Sequence, residues 1–380
     1  MSKTNNAEKV SNKVYTVGLK AKRPSDSHQK KIEKLAEAIG MKKFDWKNKL
    51  VAIKTHFGER GNSAFPRPTL IRPIVDLIKA KGGKPFLAET STLYTGSRSN
   101  APDHIETALL HGFGLEVTGA PVFICDGLTG RSGQLVKIDG KHFPEVSVAS
   151  GIFEADALVV VSHFKGHEVS GFGGTIKNLG MGCCSRTAKL AMHTSIRPSV
   201  LEDKCVKCGA CISWCSVNAI FQEKGSPAKI DQKKCQGCGE CLTACRANAI
   251  RINWSGDAGG VTEKMVEHAL GVVKNKVGSS FYFNLLVDIV PVCDCYGFTD
   301  APIVPNIGYA ASLDPVALDS ASVDWVNQQP GLKNSSLKDG FDPGQEKFPH
   351  VHEKIDTKIQ LEYGEKIGLG KKTYERVELD

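Results

Sequence analysis

The chain has 380 residues, of which 41% are apolar and 24% charged, with a formal net charge of +8 and thirteen cysteines. That length suits two or three globular domains, and the composition excludes wholesale disorder. No stretch approaches the roughly 18 apolar residues of a membrane span, and the start, MSKTNNAEKVSNKVYT, has no apolar run resembling a signal peptide. The expectation is a cytoplasmic protein with no membrane contact, whose cysteines stay reduced and open to metal rather than forming disulfides.

Before residue 201 the pattern alternates strand and helix. KLVAIK at 49–54 reads as a short strand, and the loop after it carries His56, Glu59, Arg60 and Asn62. Pro68 opens a helix with Leu70, Ile71, Ile74, Val75 and Ile78 on one face, stopped by Gly82 and Gly83. KPFLA at 84–88 is the next strand, followed by Glu89, Tyr94 and Arg98; residues 103–113 read as another helix. Cys125, alone on VFIC, reads as a core residue. DALVVVS at 156–162 is continuously apolar, which suits a parallel strand covered on both faces.

The segment after that strand, SHFKGHEVSGFGGTIKNLGMGCC, begins where open α/β sheets place their sites. It gathers His163, Lys165, His167, Lys177 and Asn178 among closely spaced glycines, with His193 shortly after. Glycines let backbone approach a ligand, and the lysines would favour a carboxylate or phosphate. Lys165 and Lys177 are the candidate charge partners of a small anionic substrate, and His163 or His167 the candidate proton donor. A solvated surface loop is the competing reading.

Eight cysteines follow in the pattern C-x2-C-x2-C-x3-C, twice: Cys205, Cys208, Cys211, Cys215, then Cys235, Cys238, Cys241, Cys245. Three thiols at two-residue intervals wrap one cuboidal iron–sulfur cluster, and the fourth ligates the other. Cys205, Cys208, Cys211 and Cys245 would hold cluster I; Cys235, Cys238, Cys241 and Cys215 would hold cluster II. Gly209 and Gly239 sit where backbone passes close to sulfide, and Asn-Ala-Ile recurs at 218–220 and 248–250. Zinc needs only four ligands per ion and explains the doubled run less well. Two clusters, each carrying −2 with its thiolates, would bring the net charge to about +4, so the basic balance is weak support for nucleic acid. No helix-turn-helix, Walker loop or dinucleotide fingerprint is present in the sequence.

After residue 253 the α/β rhythm resumes. Val261–Val277 is helical in pattern, Ser280–Val292 strand-like, and Asp314-Pro315 opens a helix with Asp at the N-cap. VPVCDCYGFTDAPIVPN places Cys293 and Cys295 on one side of an extended chain. With Cys183 and Cys184 they form a candidate third metal site if the two loops meet. The tail beyond about residue 330 is polar and punctuated by Gly and Pro. The organisation read from this is an α/β scaffold with a mostly parallel sheet, in two parts (1–200 and 254–380), interrupted by a small α+β module at 201–253.

Residues 201–253 closely resemble the bacterial two-cluster ferredoxins, except that Ser216 and Arg246 stand where those proteins usually have proline. VAIKTHFGERGNSAFPRPTLIRPIVDLIKAKGGKPFLAET, HFKGHEVSGFGGTIKNLGMGC and PVCDCYGF with LDPVALD resemble the iron–sulfur-centre proteins of the domain-of-unknown-function family 362. That resemblance implies cluster binding without a settled reaction. A fainter similarity, to the lactate-racemase-like nickel-pincer family, lies in a His/Lys/Gly-rich loop after a strand and concerns only where a site would lie. The leading expectation is an electron-transfer protein, and if an enzyme an oxidoreductase, served by a redox partner protein or low-potential donor. The alternatives are a plain ferredoxin-type carrier and a cofactor- or cluster-maturation protein.

Overall fold

The computed structural model describes residues 12–379 apart from 95, 194–197, 216, 236–239, 252–257 and 354. Eight strands form the central sheet: β1 Lys13–Gly18, β2 Leu50–Lys54, β3 Lys84–Glu89, β4 Val122–Ile124, β5 Ala157–His163, β6 Ser280–Leu286, β7 Gly308–Ser312 and β8 Glu375–Glu378. Their order across the sheet is β8-β1-β7-β6-β5-β2-β3-β4. All neighbours pair in parallel except those of β7, which runs antiparallel to β1 and β6. The sheet is therefore mostly parallel, as the continuous apolar runs required.

Every residue of β5 is buried. Alternation sends Leu158 and Val160 into one apolar core and Ala157, Val159 and Val161 into the other. The second core is closed by helices His28–Ala38 and Pro68–Ala80, the latter through the five positions of its apolar face. Helices Thr175–Gly180, Ala258–Lys274 and Pro315–Asn327 close the first. Each Val or Leu removed from water on either face contributes roughly 1.5–3 kcal/mol. Asp314 caps the helix at 315 by accepting from the amides of Val316 and Ala317, both at 2.9 Å.

One expectation changes, and two points left open by the sequence are decided. The strand from Ser280 stops at Leu286, because residues 287–295 leave the sheet as a loop. The segment after β5 is a buried hairpin, Lys165–His167 against Gly171–Gly173, and not a solvated loop. The polar tail is built in: helix Ile359–Lys366 packs on the first core, and β8 completes the sheet edge beside β1.

Residues 198–251 leave and rejoin the helical layer between Arg186–Met192 and Ala258–Lys274. Ser199–Val200 pairs antiparallel with Ile250–Arg251, so the segment's two ends lie side by side. Inside are a second strand pair, Ile220–Phe221 with Lys229–Ile230, the short helices Ala210–Ser213 and Glu240–Ala244, and a separate small apolar cluster. Leu242 packs against Leu93 and Leu190 of the larger body, and the Arg131 guanidinium lies 3.6 Å from the Trp214 ring centroid. Among the described residues no helix is long and apolar enough to cross a membrane.

Candidate functional site

The parallel strands end on one rim, where β2 closes on Lys54 and β3 on Glu89. Lys54, closing β2, is fully buried; its Nζ donates to Glu89 Oε1 at 2.9 Å, Asn178 Oδ1 at 2.6 Å and the Thr55 carbonyl at 2.8 Å. Glu89 closes β3 and also accepts from the Thr90 amide at 2.6 Å. A buried ion pair survives only with its remaining hydrogen bonds satisfied, and these three partners satisfy it. Lys54 went unnoticed in the sequence because a lysine at a strand end reads as a solvated terminus.

Asp294 is the hub of a second cluster. It is wholly buried, and its carboxylate faces His163 Nδ1 at 2.7 Å and Lys165 Nζ at 3.2 Å, with His56 Nδ1 at 3.8 Å. Burial works to raise its pKa, but Lys165 and then His163 outweigh it and hold the carboxyl well below the ordinary carboxylate range. His163 Nε2 faces the carbonyls of Val287 and Asp288 at 3.0 and 2.9 Å, so both ring nitrogens are occupied. The histidine thus ties β5 to the 287–295 loop.

The loops after β2 and β3 join the same cluster. Arg98 donates to Glu59 at 3.2 Å, reaches His56 Nε2 at 3.1 Å and hydrogen-bonds the Tyr94 hydroxyl. The Glu59 amide donates to the Asp294 carbonyl at 2.9 Å, and Asn62 donates to the carbonyls of Tyr296 and Phe298. Gly61, at φ +90°, lies so close to the Gly297 carbonyl that a side chain would collide with it. Four strand-end loops therefore converge, two of which, after β2 and β3, read individually as ordinary polar loops in the sequence. Arg60 does not join them; it pairs with exposed Glu106.

His167 lies in the hairpin with Nδ1 accepting from the amides of Val169 and Ser170, both at 3.2 Å. Burial lowers its pKa to about 3, so the ring is neutral at pH 7 with its proton on Nε2, the nitrogen that lies 3.8 Å from Glu168. Lys177 and Asn178 are set by the start of helix Thr175–Gly180, where Asp319 accepts from the amides of Thr175 and Ile176 at 2.8 Å. Lys177 Nζ donates to Cys293 Sγ at 3.1 Å, and burial, then Lys165, lowers its pKa to about 7. His193 ends helix Arg186–Met192 away from this cluster, where burial and then Lys264 lower its pKa to about 4.

The four extra cysteines do not assemble. Cys183 and Cys184 point into the first apolar core, where burial pushes the Cys183 thiol up to about 12 and Cys184 higher still. Among the described residues the ligand atoms that gather within 4.8 Å belong to His56, Cys293 and Cys295. Cys293 and Cys295 are joined by a disulfide across Cα atoms 5.1 Å apart, which corrects the expectation of thiols throughout. Two cysteines one residue apart on the same side of an extended chain come within bonding reach. As a disulfide they offer no thiolate, so the trio is not a metal site in this state. Cys125 is buried in the first core, as expected.

In the small unit, Cys205, Cys208 and Cys211 line one cavity together with Cys245 from the second run. The repeat is matched in its bonding. The Ala219 amide donates to Cys215 Sγ at 3.1 Å and the Ala249 amide to Cys245 Sγ at 3.2 Å, each after a left-handed asparagine, Asn218 or Asn248. Gly209 is left-handed at φ +71°. Cys235 and Cys241 lie in the same unit; Cys238, Gly239 and Ser216 fall outside the described residues.

No curated protein matches the chain. Among solved structures, the lactate racemase apoprotein from Thermoanaerobacterium thermosaccharolyticum aligns at 13% identity with a TM-score of 0.41, covering 85% of this chain and 59% of that one. A Thermotoga maritima protein solved as a structural-genomics target aligns at 11% identity and 0.39, covering 78% and 57%. The chain spans less than two thirds of either structure, and likeness at these TM-scores carries nothing about the site. Residues 51–324 match the family described as Domain of unknown function (DUF362), a span that runs from the first site-bearing strand through Asp319, and this chain belongs to that family.

Proposed function

We propose that this protein is an iron–sulfur electron-transfer protein that holds two 4Fe-4S clusters in residues 201–253 and serves a redox site on the α/β scaffold. The observation that carries this reading is the cavity shared by Cys205, Cys208, Cys211 and Cys245. Three thiols come from one run and the fourth from the other, the crossed set that the spacing requires. The donor chemistry fits as well. Backbone amides donate to Cys215 and Cys245, and such N–H···S bonds tune cluster potentials. Cys235, Cys238, Cys241 and Cys215 would hold the second cluster. When bound, each cluster supplies one electron at a time.

The scaffold's own residues supply an ordered, charged terminus for that traffic. The unit docks through Leu242 onto Leu93, next in sequence to Tyr94, and Tyr94 leads through Arg98 to His56 and the Asp294 cluster. Lys165 is neutralised by Asp294, which leaves Lys177 as the stronger candidate for an anionic substrate. We read the donor as a low-potential redox partner and the setting as cytoplasmic.

The test is iron and sulfide analysis of anaerobically purified protein, with EPR after dithionite. The reading expects about eight irons and eight sulfides per chain and a reduced-cluster signal. Stoichiometric zinc without sulfide would overturn it. Replacing Lys177 by Met with clusters intact separates an enzyme from a plain carrier, since only the enzyme loses turnover.

A further inference from the structure

We propose that Cys293–Cys295 is a redox-active disulfide that exchanges with thiol and disulfide substrates, with Cys295 as the exchanging sulfur and Lys177 as the charge partner of Cys293. The two sulfurs differ in place. Cys293 is fully buried and receives Lys177 Nζ at 3.1 Å, while Cys295 is partly exposed beside exposed Tyr296. The Cys295 amide also points at Cys293 Sγ, at 3.3 Å. Two donors therefore converge on the one sulfur that water does not reach. An ammonium and an amide aimed at a buried sulfur stabilise it as a thiolate, which makes it the better leaving group. The rigid setting serves the same end. Asp319 fixes the start of the helix carrying Lys177, and His163 with Asn62 fixes the loop carrying the cysteines.

The exchange balances without a further reagent. An external thiolate attacks Cys295 Sγ, a new S–S bond forms there, the Cys293–Cys295 bond breaks, and Cys293 leaves as a thiolate beside Lys177. A second external thiolate attacks the substrate sulfur of that mixed disulfide. Cys295 departs and takes a proton from solvent, and the substrate leaves oxidised by two electrons. The reverse sequence reduces a disulfide substrate. None of this needs a metal. The link to the clusters does rest on the function proposed above: two one-electron centres match one two-electron disulfide.

The experiment equilibrates the purified protein in glutathione redox buffers, quenches with acid, and counts Cys293 and Cys295 thiols by alkylation and mass spectrometry. The wild-type pair should interconvert while the protein remains folded. Lys177→Met should shift the equilibrium toward the disulfide by about tenfold or more, and Lys177→Arg should restore it. Cys293→Ser should accumulate a glutathione adduct on Cys295, whereas Cys295→Ser should leave buried Cys293 without one. A pair that opens only on unfolding, a Lys177→Met midpoint within twofold of wild type, or adducts equal on both single variants would each overturn the proposal. A separate arm supplies reduced methyl viologen to the iron-loaded protein. Clusters that reduce while the disulfide stays closed would sever the link and leave the exchange standing. A protein without clusters that still exchanges with glutathione would sink the function proposal alone.

Discussion

Replacing Asp294 by Asn tests whether the rim is held by one buried charge. The carboxylate meets His163 at 2.7 Å and Lys165 at 3.2 Å, and all three groups are buried. Losing two charge-assisted hydrogen bonds costs roughly 1.5–3 kcal/mol each. Removing one member of a buried ion pair costs about 3–5 kcal/mol, because the partner cation stays behind unpaired. Asp294→Asn should therefore lower unfolding free energy by about 3–5 kcal/mol, read by urea denaturation with tryptophan fluorescence. The sign with pH follows from the depressed carboxyl: its stabilisation is complete above the unfolded value of about 3.9 and is lost only as pH falls below it. The carboxyl's own titration therefore adds no pH dependence to the variant's deficit between pH 5 and pH 8. Asp288→Asn, which breaks a partly exposed pair with Arg67 at 3.0 Å, should cost less than about 1 kcal/mol. A deficit for Asp294→Asn as small as that of Asp288→Asn would refute the hub.

Lys177 should give wild-type stability a pH slope. Its folded pKa of about 7 lies below the unfolded value, so the unfolded chain binds more protons above pH 7 and stability rises with pH toward about 10. Lys177→Met should lower that slope by at most about 1.4 kcal/mol per pH unit, less for water reaching this partly buried side chain; equal slopes in urea titrations at pH 7.5–9.5 would contradict it. Cys245→Ser should cost the cluster held with Cys205, Cys208 and Cys211 and cut bound iron to about half, while Cys183→Ser should leave iron unchanged. Gly166→Ala should destabilise by about 1–3 kcal/mol, because a Cβ there runs into the Pro291 backbone while the Gly166 amide is held by Val290. Unfolding midpoints matching wild type would show that the hairpin can shift.

What was legible in the sequence is what neighbouring residues decide among themselves. Strands β2, β3 and β5 announce themselves because a strand covered on both faces carries an unbroken apolar run between its ends. Pro68 and Asp314-Pro315 mark helix starts through local backbone chemistry, and the cysteine runs carry their geometry in their spacing. The converging loops were legible only as candidates. Their residues are polar in sequence whether they bind one another or water.

The tertiary structure alone decided the pairings. Lys54 meets Glu89 and Asn178 across separations of 35 and 124 residues, and His163 meets Asp294 across 131, because parallel strands end on one rim. It also divided the spare cysteines. Cys183 and Cys184 follow a buried helix and face the core, whereas Cys293 and Cys295 face each other beside Lys177. Spacing fixes which thiols can share a cluster within one short segment. Which distant loop a thiol faces depends on the order of strands in the sheet, and that order is set by the packing of the whole chain.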